Sequence, residues 1–136
     1  MDTLTATQRS ERMSRIGPKG SKPETFVRRL VHGMGYRFRL HRRDLPGTPD
    51  LVFASRRKVI FVHGCFWHRH ASPSCTLARM PKSRQEFWVP KLNANRERDL
   101  GNLERLEALG WKALVVWECD LKRASLGTEI REFLEV

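Results

Sequence analysis

Three groups of side chains in this 136-residue chain have the types and spacing to do chemistry. Asp50 follows a PGTP turn and opens the run DLVFA; His63 closes the next run, KVIFVH, and His68 follows on a loop. Both runs are β-branched and aromatic, so they read as paired strands of a hairpin, with Asp50 and His63 meeting at its open end. A carboxylate there suits a hard cation, and a nearby imidazole can move a proton. Together they meet the needs of metal-assisted phosphodiester hydrolysis. Residue types alone leave a second reading open, in which Asp50 is a turn residue after proline and the histidines are ordinary loop residues.

Cys65, His70 and Cys75 share one loop, and Cys119 ends the last predicted strand. Three thiolates and an imidazole form a closed tetrahedral set for zinc, which contributes folding energy and leaves no open position for catalysis. His63 or His68 could replace His70 as the nitrogen ligand, and three reduced, unligated thiols are the alternative. An odd cysteine count implies no disulfide framework, and a reducing, cytoplasmic setting is expected. Aromatics form the third group. Phe66 and Trp67 interrupt the polar loop and Trp88 lies in the next helix, where large rings beside basic residues could stack on or wedge between bases. Phe87 reads as a core residue. Met13, on an otherwise polar N-terminal helix, is a further wedge or a docking contact for that arm.

The elements that must hold these groups follow from periodicity. Residues 1–22 read as an N-terminal helical arm with a GPKGSK joint, and 23–136 as a single domain. A helix opens near Pro23, carries Phe26, Val27, Leu30, Val31 and Met34 at helical spacing, and ends in the Gly33–Gly35 stretch. Tyr36, Phe38 and Leu40 alternate with polar residues as a half-buried strand. Residues 64–82 form a long loop, a feature that in a compact domain implies a function or a cross-link. Residues 83–109 are helical with an interruption near Pro90, and Leu92, Leu100, Leu103, Leu106 and Leu109 supply the buried stripe. A strand at 112–118, reached by this crossover and so parallel to its neighbour, and a helix at 128–135 close the chain. The fold class is α/β, a mixed sheet flanked by helices.

Charge narrows the partner. Residues 1–98 carry 21 basic and 7 acidic side chains, residues 99–136 carry 5 and 8, and the whole chain is +11. A basic front of this kind suits a polyanion, nucleic acid foremost. The sequence contains no apolar run long enough to cross a membrane, so no membrane partner is expected.

The segments PGTPD, VIFVHGCFWHRH, PKSRQEFWVPKLNANRERD and ALGWKALVVWECD resemble the very-short-patch repair (Vsr) DNA mismatch endonucleases, and RSERMSRIGPKGSKPE is similar to that family's arm and first helix. The resemblance implies a restriction-endonuclease-like fold with a zinc-tied loop. It also implies magnesium-dependent nicking of one strand beside a T:G mismatch left by 5-methylcytosine deamination. By the same resemblance Asp50 and the main-chain carbonyl of Val62 would hold Mg2+, and His68, assisted by His63, would act in acid/base catalysis. Glu24 and Asp99 would lie near the metal waters. Cys65, His70, Cys75 and Cys119 would hold Zn2+, and Phe66, Trp67 and Trp88 would wedge into the duplex opposite Met13. Val62 stands where the family often has threonine. Ala71–Ser74 separate His70 from Cys75, where the family usually has one residue. The partners implied are double-stranded DNA with a T:G mismatch and downstream repair proteins, with the enzyme acting as a monomer. A zinc-stabilised DNA-binding module and a nuclease cutting both strands of paired DNA are the competing readings.

Overall fold

The computed structural model describes residues 22–68, 70, 75, 80 and 82–136. The expected arm, Met13 and the Ala71–Ser74 insertion lie outside the described residues, apart from Lys22. Among the described residues the strands and α-helices follow in the order α1 (Lys22–Gly33), β1 (Arg39–Leu40), β2 (Leu51–Phe53), β3 (Lys58–His63), α2 (Gln85–Ala108), β4 (Lys112–Trp117) and α3 (Leu126–Glu135). The architecture is mixed α/β, one four-stranded sheet in the order β1-β2-β3-β4 with three helices.

β1, β2 and β3 pair antiparallel, and β4 pairs parallel to β3 through the α2 crossover. Side chains alternate across the sheet and divide the core in two. Leu51, Phe53, Ile60 and Val116 face α1 and α3, meeting Val27, Val31, Leu126, Ile130 and Leu134. Val52, Val59 and Phe61 face the other way, onto Leu106 of α2. Helices therefore cover both faces, and the sheet's C-terminal edge is left for polar side chains.

Three expectations need correction. β1 is two residues long, because its partner β2 offers only three; Tyr36 and Phe38 pack on the core without strand pairing. Pro90 does not interrupt α2, which runs through it. The N–H that proline lacks would have paired with the Glu86 carbonyl, and both residues are exposed in the opening turns, where water can satisfy it. Leu100 and Leu109 are 51% and 53% exposed. At about 100° per residue, the face that Leu92, Leu103 and Leu106 bury also contains Asp99, and Leu100 and Leu109 fall outside it.

Two local features fix Asp50. Gly47 has φ +79°, and a Cβ there would lie 3.0 Å from both Phe61 and Asn102, so the turn before Asp50 packs tightly on β3 and α2. His41 and Thr48 also adopt left-handed backbone, at φ 52° and 48°. Such conformations cost energy in non-glycine residues, and here they bracket one carboxylate.

Leu106 joins α2 to β2 and β3 and is fully buried. Leu106→Ala is expected to cost about 2–5 kcal/mol, read as a lower midpoint in urea denaturation.

Candidate active site and metal centre

The sheet's C-terminal edge carries two clusters. In the first, the N–H of Val62 donates to Asp50 Oδ2 at 2.7 Å, and His41 N–H donates to the Asp50 carbonyl at 3.3 Å. His41 Nε2 lies 2.9 Å from Glu24 Oε1 and 3.8 Å from Asp50 Oδ1. Glu24, on the first turn of α1, is only 2% exposed and also pairs with Arg28 at 3.4 Å. Loss of water pushes the Asp50 carboxyl up to about 7, and the Glu24 charge adds to the rise, against the opposing Val62 hydrogen bond. Buried Glu24 and the partly buried Asp50 together form an oxygen-rich site that favours a divalent cation.

In the second cluster, the rings of His63 and His68 stack at 3.8 Å, only 3° from parallel. His68 Nδ1 lies 2.6 Å from Asp99 Oδ2 on α2. With Nδ1 donating to the carboxylate, Nε2 of His68 is the nitrogen left to take or give a proton. His63 is buried, and desolvation pushes its pKa down to about 4, with further lowering from His68, so it is neutral near pH 7.

The expected meeting of Asp50 with His63 and His68 takes a different form. Asp50 gathers with Glu24 and His41, while the two imidazoles gather with Asp99. The partners differ: Asp50 accepts from the main-chain N–H of Val62, whereas the ring of His63, one residue on, stacks on His68 and packs beside Phe61. The two clusters lie at the same end of β3, each with its own carboxylate. His41 was missed by sequence reasoning. Its signal was weak, a histidine just past a short strand, and its left-handed backbone is what turns it toward Glu24.

Ligand atoms of Cys65, His70, Cys75 and Cys119 all lie within 4.8 Å of one another. Cys119 Sγ and His70 Nδ1 are 3.4 Å apart, and the Cys119 N–H points to Cys65 Sγ at 3.4 Å. A tetrahedron with metal bonds of about 2.0–2.3 Å has edges of roughly 3.3–3.8 Å, so the donor set fits zinc in number, type and spacing. Burial pushes the Cys65 thiol up to about 12 and raises Cys119, so thiolates here call for a cation to replace the lost water. His70, not His63 or His68, is the histidine among these thiols.

Aromatic rings form a platform beside the histidines. Phe66, Trp67 and Trp88 contact one another edge to face at 5.2–6.0 Å, and Phe87 adjoins Trp88 at 5.0 Å. Trp67 and Phe87 are 47% and 42% exposed, so Phe87 is a surface residue, contrary to its reading as core. Lys91 lies over both rings and Arg84 over Phe87. Rings this exposed, with cations above them, suit stacking on nucleic-acid bases.

Comparison with known proteins identifies the family. Residues 1–74 match the family described as DNA mismatch endonuclease Vsr. The chain is 49% identical over 135 residues to the Type II nicking enzyme V.XorIIP of Xanthomonas oryzae, covering 98% of this chain and 97% of that protein. The chain belongs to the Vsr family. It is 41% identical over 128 residues to the Type II nicking enzyme V.NmeAIP of Neisseria meningitidis, with 94% and 89% covered. The DNA mismatch endonuclease Vsr of Escherichia coli is 44% identical over 114 residues, with 84% of this chain and 71% of that protein covered. Family membership makes the chain a DNA mismatch endonuclease and sets aside the purely binding alternative. No helix among the described residues is long and apolar enough to cross a membrane.

The raised Asp50 pKa has a measurable consequence. Between about pH 4 and 7 the folded chain holds a proton that the unfolded chain releases, so this group's contribution to stability falls as pH rises through that window and is lost by about 7. In magnesium-free protein, Asp50→Asn is expected to raise the thermal midpoint by a few degrees at pH 8. The gain should vanish near pH 4, as followed by circular dichroism across the pH range.

Proposed function

We propose that this enzyme nicks one strand of double-stranded DNA beside a T:G mismatch left by deamination of 5-methylcytosine, with Mg2+ required, and so opens very-short-patch repair. The observation that carries the reading is the end of β3, where the Val62 peptide holds Asp50 and the next residue, His63, stacks on a His68 bonded to Asp99. Mg2+ would be held by Asp50 and the Val62 carbonyl, with Glu24 near its waters; when bound, it neutralises charge on the phosphate and lowers the pKa of a water. Asp99 holds His68 Nδ1, leaving Nε2 to move the proton of the attacking water or the leaving oxygen. His63, neutral and stacked, keeps that ring in place. Cys65, His70, Cys75 and Cys119 would hold a structural Zn2+ that ties the 64–82 loop to β4.

The exposed rings give a physical basis for mismatch choice. Inserting Phe66, Trp67 and Trp88 between base steps, with Met13 entering from the opposite groove, costs least where pairing is already weak, so a mispair is the cheapest place to open the duplex. One active centre per chain accounts for cleavage of a single strand by a monomer, and the names of two relatives speak of nicking. Downstream repair proteins would then take up the nicked product.

A panel of labelled duplexes, each with one mismatch in varied context, tests the reading. With magnesium, the T:G duplex is expected to yield one nicked strand, and matched duplexes none. Asp50→Ala is expected to lower single-turnover nicking by about a thousandfold or more while changing duplex affinity by only a few fold. Cleavage of both strands in paired DNA, or wild-type nicking by Asp50→Ala, would overturn it. Because a proton competes with the cation at Asp50, the magnesium needed for half-maximal rate should rise as pH falls below about 7.

The zinc assignment has its own test. Elemental analysis of untreated protein is expected to find about one zinc per chain, and stripping it should lower the thermal midpoint sharply.

A further inference from the structure

His63 presents an unusual problem of orientation. It is 5% exposed, and its Nδ1 has no hydrogen-bond partner among the described residues. With Nδ1 unbonded, the ring's orientation rests heavily on packing, since its terminal torsion is broad. Three rings supply the packing: Phe61 at 5.6 Å, His68 at 3.8 Å and Trp117 at 5.2 Å, the last nearly edge-on at 75°.

Trp117 is the ring with contacts on two sides. Its other neighbour is His70, stacked at 4.1 Å and 10° from parallel. His70 is the nitrogen donor of the Cys/His cluster. Trp117 is also fixed along the chain: it pairs with His63 in the β3–β4 ladder, and its N–H donates to Asp120 Oδ2 at 2.9 Å. A continuous row therefore runs from the thiol cluster through His70, Trp117, His63 and His68 to Asp99.

We propose that Trp117 is a positioning residue for hydrolysis: held flat against His70, it sets the ring of His63 and through it the orientation of His68. The cluster then does more than tie down a loop. It clamps one end of a row of rings whose other end carries the acid/base group. This rests on the reading of His68 as that group and of the four Cys/His residues as zinc ligands. Trp117 is not among the residues assigned to either metal.

The test uses the full chain with zinc content measured in every sample. Trp117→Leu keeps apolar bulk without a ring, Trp117→Phe restores a ring, and His70→Cys keeps four zinc donors while removing the stack. Single-turnover nicking of a T:G duplex is expected to fall tenfold or more in Trp117→Leu and His70→Cys, with zinc retained and duplex affinity within about threefold, since small misplacement of a reacting group is costly. Trp117→Phe should stay within about threefold of wild type. A second readout needs no substrate: the downfield Nδ1 proton of His68, bonded to Asp99, should shift or disappear in the nitrogen-15 spectra of Trp117→Leu.

A wild-type rate in zinc-loaded Trp117→Leu or His70→Cys overturns the proposal, as does an unshifted His68 proton. Should Trp117→Leu fail to fold, His70→Cys decides. Wild-type nicking by His68→Ala, or untreated protein without zinc, would instead overturn the underlying assignment, so the two failures are told apart.

Discussion

The parallel ladder between β3 and β4 is the constraint on which the functional end of this molecule depends. Its six residue pairs end with His63 opposite Trp117. Two residues beyond each lie Cys65 and Cys119, so the register that aligns the strands also brings the two thiols together. One residue back, Val62 offers its N–H to Asp50. A one-residue slip would send His63 to the opposite face and part the cysteines at once. The register of β3 against β4 is therefore what aligns acid, imidazole and thiol.

At that edge, the electrostatics run against stability. Two carboxylates share a dry site, one imidazole is buried without a full set of hydrogen bonds, and two residues flanking Asp50 hold left-handed backbone. Each feature is unfavourable for a fold considered alone and useful for binding a cation and moving a proton. The compensation is elsewhere, in two apolar cores that cover both faces of the sheet.

Much of this was legible from residue order. The helix at Lys22–Gly33, the paired strands at 51–53 and 58–63 and the parallel return at 112–117 follow from periodicity and turn residues. That three thiols would gather with one imidazole also followed from residue type, although which histidine did not. What was not legible depended on geometry that spacing does not encode. Asp99 occupies a core-facing position of α2 because His68 meets it there, so counting leucines alone misassigned Leu100. Phe87 was read as interior because aromatics usually are, yet it joins an exposed platform. His41 reaches Glu24 from a left-handed position, and the grouping of Asp50 with Glu24 and His41 joins residues far apart in the chain, which spacing does not encode.

The short turn between β2 and β3 does something else. Arg57 donates to the carbonyl of Leu109 at the end of α2, while Arg56 and Lys58 donate to the carbonyls of Leu134 and Phe133 at the end of α3. One hairpin thus closes helices on opposite faces, across separations of 52 to 78 residues. Leu126, Ile130 and Leu134 of α3 are themselves part of the main core. On the ribosome, a nascent chain can form β2 and β3 early, but it cannot seal this core until α3 has emerged, so the working edge must wait for a helix more than sixty residues downstream of the hairpin.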